Sequence, residues 1–340
     1  MATTPVSISR PATAPVRQTA AHPYPVPKPG VYVPAITFFD SKDRICPAEQ
    51  KRYYEYLSKT GLNGLVILGT NAETFLLTRD ERKQLLQLAR STVGPGYPII
   101  AGVGGHSTAQ VLEYINDAYE AGADYALVLP CAYFGKQTTP EVVKVFFSQV
   151  ADESPIPVIV YNFPAVCNGL DLDSEIITEI AQHPKVVGVK LTCGSVAKIA
   201  RLAATFDVER FAVFGGQSDF LVGGLAVGSA GCIAAFGNIF PHLVVKIYNL
   251  YARGDVEEAK RLQKIAALAE SPTKAGIANT KYAAAEFTAS KAGIKNAVEL
   301  LKPRRPYFEP NEAAKKKIRE TMVLANEIEV SLANVRQSRL

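Results

Sequence analysis

The amino-acid sequence predicts a (β/α)8 barrel followed by a helical C-terminal extension. From residue 31 onward, eight short apolar runs alternate with longer segments that have helical periodicity. Each run is almost continuously apolar, as expected for parallel strands that are buried on both faces. The alternating part of the chain approaches the ~250 residues usual for this barrel. A doubly wound open sheet is disfavoured because no glycine-rich phosphate-binding turn follows the first run, at residues 36–40.

Strands and helices follow one another in a regular order along the chain. The predicted strands are Val31–Phe39, Gly64–Gly69, Pro98–Val103, Tyr125–Pro130, Pro157–Asn162, Val186–Thr192, Phe211–Gly216 and Gly231–Phe236. Helical patterns lie between them, among them Thr78–Val93, Ser107–Ala121, Thr139–Asp152 and Asp173–His183. Thr78 and Thr139 are suitable helix N-caps, and Pro140 suits the first helical position.

The strand pattern stops after about residue 254, which divides the chain into three parts. We predict a proline-rich N-terminal arm (1–29), the barrel (30–254) and a C-terminal helical region (255–340). The helical region is predicted to contain Val256–Ala269, Ile277–Thr288, Ile294–Leu301 and Glu312–Leu332. The stretch Phe220–Phe240 is apolar enough to suggest a bilayer span, but five glycines, Ser229 and Asn238 interrupt it. We interpret it as buried barrel.

Composition argues against several classes of function. The net charge is +5, from 37 basic and 32 acidic residues, and the excess is not gathered into a nucleic-acid-binding patch. The five cysteines are widely separated without a CxxC pair, and the four histidines are scattered. Neither a disulfide framework nor a metal site is expected from such spacing, and a reducing compartment is favoured.

The N-terminal arm has a faint resemblance in composition to a transit peptide. Residues 1–29 contain seven prolines, a few basic residues and no acidic residue. The prolines oppose the amphipathic helix that a mitochondrial presequence needs. We therefore expect a cytoplasmic protein, with a mitochondrial location as the open alternative.

Lys190 is the most informative residue for function. It lies in the apolar run Val186–Thr192, where a lysine is seldom buried without a reason. Burial favours the neutral amine, which is a nucleophile for carbonyl compounds. The alternative is a lysine paired with a carboxylate, for which Glu73 is the acidic residue at the matching end of a strand. Active sites of this fold lie at the C-terminal strand ends, so a catalytic lysine is the favoured interpretation.

Two other strand ends carry polar side chains that suit the same chemistry. Tyr161 ends the strand before that of Lys190, where its phenol can act as a general acid and base. Thr70 and Asn71 follow a glycine at the end of the second strand, a turn in which hydroxyl, amide and backbone N–H groups can bind a carboxylate. Each signal is weak alone, because rim tyrosines and Gly-Thr-Asn turns are common.

Together these strand ends resemble the dihydrodipicolinate synthase / N-acetylneuraminate lyase family of class I pyruvate aldolases. The motifs are Gly-Thr-x-x-Glu at 69–73, Tyr-Asn-x-Pro at 161–164 and Gly-Val-Lys at 188–190, within a resemblance that covers residues 31–301. The resemblance implies that Lys190 forms the Schiff base and that Tyr161 is the catalytic tyrosine. It also implies substrate contacts from Thr70, Asn71, Thr192, Gly216, Ser218, Asp219 and Ile233.

Three departures from the family pattern narrow the expected subfamily. Asn71 stands where the synthases have threonine, and Val166 stands where they have an arginine that binds the carboxylate of the aldehyde substrate. A neutral side chain cannot form that charge-assisted pair, so an amino-acid semialdehyde is not expected. Ala132 replaces the usual relay tyrosine, and the next residue is Tyr133. Either Tyr133 takes the catalytic role through a shifted loop, or the proton follows another route.

The resemblance therefore implies a class I aldolase that cleaves a 2-keto-3-deoxy sugar acid. The expected substrate is the 2-keto-3-deoxy-L-galactonate of galacturonate breakdown, cleaved to pyruvate and L-glyceraldehyde, without metal or organic cofactor. Alternatives are a 4-hydroxy-2-oxoglutarate aldolase, a dihydrodipicolinate synthase, a metal-dependent aldolase, and a regulatory barrel that binds a 2-oxo acid without turnover. From the family we also expect a homo-oligomer, a tetramer or dimer, with no nucleic-acid or membrane partner.

Overall fold

The computed structural model describes residues 22–337, and its centre is a closed barrel of eight parallel strands. The strands pair in chain order, and the last pairs with the first. They are β1 (Gly30–Pro34), β2 (Gly64–Ile67), β3 (Ile99–Gly102), β4 (Tyr125–Val128), β5 (Val158–Asn162), β6 (Val186–Leu191), β7 (Ala212–Gly215) and β8 (Gly231–Ile233). The barrel predicted from the alternating pattern is confirmed.

Helices cover the outside of the barrel in the alternating order expected. They are α1 (Pro47–Ser58), α2 (Arg79–Val93), α3 (Thr108–Glu120), α4 (Pro140–Glu153), α5 (Ser174–Ile180), α6 (Val196–Thr205), α7 (Leu221–Ala226) and α8 (Pro241–Ala252). The predicted caps of α2 and α4 are confirmed: Thr78 accepts a hydrogen bond from the backbone of Glu81, and Thr139 from that of Val142. Glu81 also accepts a hydrogen bond from the Thr78 backbone N–H, at 2.8 Å, which completes a capping box.

The first strand is shorter than the sequence predicts, because it ends at Pro34 rather than at residue 39. The residues that follow are buried, yet side chains bind much of their backbone. Asn238 Oδ1 accepts from the Ile36 N–H at 3.3 Å. Gln50 accepts from the Phe38 N–H at 3.0 Å and donates to the Ile36 carbonyl at 3.0 Å. The apolar run therefore extends beyond β1, because buried side chains rather than a neighbouring strand bind much of its backbone after Pro34.

Two apolar clusters hold the barrel together. The larger one lies between the sheet and the surrounding helices. The smaller one fills the barrel interior with side chains from alternate strand positions, among them Tyr32, Val66, Ile100, Leu127, Ile159 and Phe214. The apolar stretch at 220–240 divides as expected into α7, β8, a short 3-10 helix (Ala235–Asn238) and the start of α8. Across residues 22–337, no helix is long and apolar enough to cross a membrane.

In the described part of the chain, five α-helices follow the barrel. They are α9 (Val256–Glu270), α10 (Ile277–Phe287), α11 (Ala297–Leu300), α12 (Glu312–Thr321) and α13 (Val323–Gln337). The sequence predicts one helix over 312–332, whereas the structure has two that meet at Met322, whose side chain is fully buried. The predicted helix 294–301 is reduced to α11, because Asn296 takes a left-handed conformation with φ 55°.

Most of the predicted N-terminal arm, residues 1–21, lies outside the described part of the chain. The remainder of the arm leads into β1, and the Lys28 carbonyl accepts a hydrogen bond from the Tyr32 hydroxyl at 2.9 Å. At the other boundary, α8 ends at Ala252 and α9 begins at Val256. The three-part division stays a prediction.

The capping box of α2 yields a prediction about stability. We expect Thr78→Ala to lower the free energy of unfolding by about 1 kcal/mol, because the first turn loses an acceptor for its unpaired N–H groups. Urea unfolding followed by circular dichroism measures the change. Ser91→Ala, an exposed change late in the same helix, is the matched control and should stay within about 0.5 kcal/mol of wild type. Equal losses in the two variants would contradict the capping role.

Candidate active site

The barrel places Lys190 and Tyr161 side by side, as their positions at adjacent strand ends predict. They are directly paired in the register of β5 and β6. The Nζ atom of Lys190 lies 4.1 Å from the centre of the Tyr161 ring, and both residues are buried. The face of an aromatic ring attracts an ammonium group, so the Tyr161 ring can hold the lysine side chain in place without a salt bridge.

Lys190 is not half of an ion pair in the described chain. Its exposed fraction is 1%, and no carboxylate among residues 22–337 lies within 4.0 Å of its Nζ atom. Glu73, the partner that the sequence offers as the alternative, binds Lys281 Nζ instead, at 2.5 Å. The buried amine of Lys190 therefore has no ionic partner, which is unusual enough to indicate a functional role.

Thr70 lies beside the hydroxyl group of Tyr161. Its Oγ1 atom is 3.5 Å from the Tyr161 hydroxyl, a distance that allows a hydrogen bond in either direction. Together with Gly69 and Phe75 these two residues line a small pocket at the mouth of the barrel. The structure thus places Thr70 and Lys190 each next to Tyr161, as the sequence predicts for three strand ends.

Glu73 joins the turn that carries Thr70 and Asn71 to the C-terminal region of the chain. Thr70–Ala72 form one turn of 3-10 helix, and Glu73 ends it in a left-handed conformation with φ 59°. Glu73 uses both carboxylate oxygens: one accepts from Lys281 and the other from the backbone N–H of Arg304, at 2.7 Å. Lys281 is completely buried. Both partners come from the C-terminal region, far from Glu73 in the chain. The sequence alone therefore indicates Glu73 but not Lys281 and Arg304.

Thr192 and Gly216 meet beside the lysine. The Oγ1 atom of Thr192 is buried and has no hydrogen-bond partner among residues 22–337. Gly216 is packed so closely that a Cβ atom there would overlap the Thr192 side chain. The backbone N–H of Gly216 donates to the Leu191 carbonyl at 2.8 Å, which joins the seventh-strand loop to the end of β6. An unsatisfied hydroxyl two residues from Lys190 suits a polar group of a bound ligand.

Ser218 and Asp219 lie in the same loop but face different partners. Ser218 is fully buried and donates a hydrogen bond to Glu270, so its hydroxyl is already engaged. Asp219 binds Lys274 through Oδ2 at 3.0 Å, whereas its Oδ1 atom is buried without a partner in the described chain. Ile233 lies in β8, opposite Tyr32, in the interior cluster. Glu270 and Lys274 were not anticipated, because nothing in the sequence links them to this loop.

The structure does not bring Tyr133 to the group formed by Thr70 and Tyr161. Its side chain is 70% exposed, and its ring lies 5.7 Å from that of His106. Asn168 Nδ2 donates to the carbonyls of Ala132 and Tyr133, at 2.6 and 3.3 Å, and so holds the loop with the tyrosine outward. Within one described chain, Tyr133 does not complete a Thr–Tyr–Tyr relay, and the shifted loop that we considered is not observed.

In the part of the chain that the structure describes, no group of three or more His, Cys, Asp or Glu side chains is placed to hold a metal ion. The barrel with a buried lysine beside a tyrosine defines the class of protein: a lyase of the class I aldolase type.

The comparisons with known proteins agree with that class. Residues 28–323 match the Dihydrodipicolinate synthetase family, and the chain belongs to this family. It is 64% identical over 310 residues to a protein of Coccidioides immitis named as a mitochondrial 4-hydroxy-2-oxoglutarate aldolase, covering 91% of this chain and 99% of the relative. It is 36% identical over 317 residues to the L-threo-3-deoxy-hexylosonate aldolase of Hypocrea jecorina, covering 89% and 98%.

Solved structures give the same result for the fold. A dihydrodipicolinate synthase family protein from Coccidioides immitis superposes with a TM-score of 0.85 at 61% identity, covering 90% of this chain and 98% of that one. The YagE protein of E. coli K12, determined in complex with pyruvate, gives a TM-score of 0.79 at 25% identity, covering 88% and 98%. The predicted family is therefore confirmed.

The buried pair of Glu73 and Lys281 yields a second stability prediction. We expect Lys281→Met to lower the free energy of unfolding by about 3–5 kcal/mol, because it leaves the buried Glu73 carboxylate without its counter-charge. The double variant K281M/E73Q should be more stable than K281M, since it removes that charge. Urea unfolding measures both.

Lys316→Met is the matched control for Lys281→Met. Lys316 lies in an exposed ion pair with Glu320, with a side chain 70% exposed, so its loss should change stability by less than about 1 kcal/mol. A K281M protein as stable as K316M would show that the buried pair does not stabilise the turn.

Proposed function

We propose that the protein is a Schiff-base aldolase that cleaves a 2-keto-3-deoxy sugar acid, with 2-keto-3-deoxy-L-galactonate as the substrate and pyruvate and L-glyceraldehyde as products. The observation that supports this most directly is the buried amine of Lys190, which lies against Tyr161 without an ionic partner in the described chain. Membership of the aldolase family supports the same chemistry.

In the proposed mechanism, neutral Lys190 attacks the C2 carbonyl while Thr70 and Asn71 bind the C1 carboxylate. Loss of water from the carbinolamine gives an iminium. Tyr161, as a phenolate or through a water, takes the proton of the C4 hydroxyl, the C3–C4 bond breaks, and its electron pair moves into the iminium to form an enamine as the aldehyde leaves. The enamine is protonated at C3, and water then releases pyruvate and the free amine. Positioning and the covalent electron sink account for most of the acceleration.

The proton route of this mechanism is short. Tyr161 has a hydroxyl within 3.5 Å of Thr70 Oγ1, so a proton can pass between the two. Tyr133 stays outside this group in a single chain. We therefore propose Tyr161 as the general acid and base, with Thr70 as its hydrogen-bond partner.

Two features support the sugar-acid substrate. Val166 offers no positive charge where the synthases of the family bind an aldehyde with a carboxylate. Asp219 has a buried oxygen without a partner in the described chain, and this oxygen can accept a hydrogen bond from a substrate hydroxyl. The Hypocrea jecorina relative bears the name of this activity. The second candidate is 4-hydroxy-2-oxoglutarate, which the name of the 64% identical relative favours. Both substrates would give pyruvate by the same Schiff-base route, with L-glyceraldehyde as the second product of the sugar acid and glyoxylate as that of 4-hydroxy-2-oxoglutarate.

Assembly and location are also proposals. A homo-oligomer, tetramer or dimer, follows from the family resemblance. Two relatives, from Coccidioides immitis and Emericella nidulans, are named as mitochondrial proteins. That favours the mitochondrial alternative over the cytoplasmic location expected from the proline-rich arm.

Borohydride trapping tests the Schiff base. We expect sodium borohydride added with pyruvate to attach a reduced pyruvyl adduct to Lys190, found by mass spectrometry of the digested protein, because the amine and the ketone condense to a reducible imine. Lys190→Met should give no adduct and lower kcat by on the order of 10³-fold or more. Lys281→Arg, which keeps a cation at another buried lysine, is a control for adducts elsewhere. An adduct that forms equally in K190M would rule out this mechanism.

Aldehyde release tests Tyr161 and the substrate. With a coupled reduction of the aldehyde product, Tyr161→Phe should lower kcat by roughly 10²–10⁴-fold, because the C4 hydroxyl loses its proton acceptor. Wild-type kcat/KM should be higher for 2-keto-3-deoxy-L-galactonate than for 4-hydroxy-2-oxoglutarate. The reverse order would favour the second candidate, and trapping of pyruvate without aldehyde release from any 2-oxo acid would favour a binding protein.

A further inference from the structure

The segment between β5 and α5 closes into a loop directly after Tyr161. Asn162, the last residue of β5, is completely buried, and its Nδ2 atom donates to Asp171 Oδ1 at 2.7 Å. Its Oδ1 atom accepts from the Leu172 N–H at 3.0 Å. Successive strand residues point to opposite faces, and Tyr161 belongs to the interior cluster, so the Asn162 side chain is directed away from the barrel interior. One amide side chain therefore joins the start of the loop to its end.

Lys198, in the first turn of α6, binds the same end of the loop. Its Nζ atom lies 2.6 Å from Asp171 Oδ1 and donates to the Leu172 carbonyl at 2.5 Å. Partial burial raises the pKa of the Asp171 carboxyl, but the hydrogen bonds of Asn162 and Lys198 outweigh it, so the pKa lies below its usual range. Asp171 is therefore a carboxylate at neutral pH, and an ion pair holds the loop together with the amide.

The ion pair connects the two strand ends that carry the reacting residues. Helix α6 follows β6, the strand of Lys190, whereas Asp171 belongs to the loop that follows Tyr161. The Thr192 N–H donates to the Asn162 carbonyl at 2.9 Å, which adds a backbone contact between the same two strand ends. The chain after the lysine is therefore joined to the chain after the tyrosine by side chains and by backbone.

The loop contacts the ring of Tyr161 through its first residue. The rings of Tyr161 and Phe163 are stacked, with their centres 5.8 Å apart and their planes at 29°. The same loop carries Asn168, which binds the Ala132 carbonyl after β4 at 2.6 Å. Proton transfer needs the phenol within hydrogen-bond reach of the substrate, so a small shift of the ring slows the reaction. The conformation of the loop therefore matters for the chemistry, although its anchor is directed away from the barrel interior.

We propose that Asp171 and Lys198 are positioning residues. Their ion pair holds the loop after β5 closed, and the closed loop keeps Phe163 against Tyr161, with the phenol placed for proton transfer. The inference rests on the proposed aldolase function and adds the groups on which its general acid and base depends. Neither Asp171 nor Lys198 is assigned a contact with the substrate, because their anchor, Asn162, is directed away from the barrel interior.

A double-mutant cycle with Tyr161 tests the inference. With whichever candidate substrate the wild type cleaves faster, Lys198→Met should lower kcat about tenfold and change KM by less than about threefold, because the phenol alone is misplaced. In the Tyr161→Phe background the same change should lower kcat by less than about twofold, because no phenol remains to be positioned. Lys198→Arg, which keeps a cation for Asp171, should restore kcat to within about threefold of wild type.

A second variant and a control accompany the cycle. The side chain of Asp171 is 50% exposed, so its carboxylate stays solvated when Lys198 is replaced, and the protein is expected to fold. Asp171→Asn should show the same dependence on Tyr161, and it decides the question if Lys198→Met does not fold. Lys144→Met is the matched control, since it removes the ion pair with Glu179 between α4 and α5 and should leave kcat within about twofold in both backgrounds.

The outcomes separate the inference from the proposed function. An unchanged kcat in K198M would overturn the inference and leave the aldolase standing. So would an equal fall of kcat with and without the Tyr161 hydroxyl, which is the result of a role in the fold alone. A wild type that traps no pyruvate at Lys190, or a Y161F protein with the kcat of wild type, would instead overturn the proposed function itself.

Discussion

A lysine amine buried without a counter-charge is unfavourable in a protein interior, and the organisation of this molecule depends on how that group is accommodated. Lys190 is 1% exposed and its Nζ atom lies 4.1 Å from the centre of the Tyr161 ring. The contact exists because β5 and β6 pair in a register that sets the two residues opposite one another. The same barrel closure brings Thr70, which follows β2, close to the hydroxyl group of the tyrosine. The Tyr161 side chain thus contacts the Lys190 amine through its ring and Thr70 through its hydroxyl group.

The C-terminal helices contribute to this site without touching the reacting centre. Lys281, from α10, binds Glu73 beneath the turn that carries Thr70. Glu270, from α9, binds Ser218 in the seventh-strand loop. In each case a buried carboxylate joins a barrel loop to the extension, and a lysine of the extension lies against it. The turn that carries Thr70 and the seventh-strand loop are therefore supported by one helical region.

Local patterns in the sequence were sufficient to predict the fold and the proximity of Lys190, Tyr161 and Thr70, because strand ends of a closed parallel barrel meet at one face. They were not sufficient where side chains replace the sheet as hydrogen-bond partners: the apolar run after Pro34 binds Gln50 and Asn238 instead of a strand. The partners of Glu73 and Ser218 come from distant helices, and no local periodicity encodes such a contact. The outward side chain of Tyr133 depends on Asn168, which holds the loop backbone.

The engagement of Glu73 has a consequence for how such enzymes can diverge or be redesigned. Its left-handed backbone would ordinarily favour glycine, yet both of its oxygens are bound by the C-terminal region. Replacing Glu73 with glycine would ease the backbone conformation, but it would also remove the two contacts that join the turn to the C-terminal region. A barrel excised before residue 255, or a β2 turn transplanted from a relative without its matching lysine, would carry the motif but not its support. The turn after β2 and helix α10 are therefore coupled through Glu73 and Lys281, and the two have to change together.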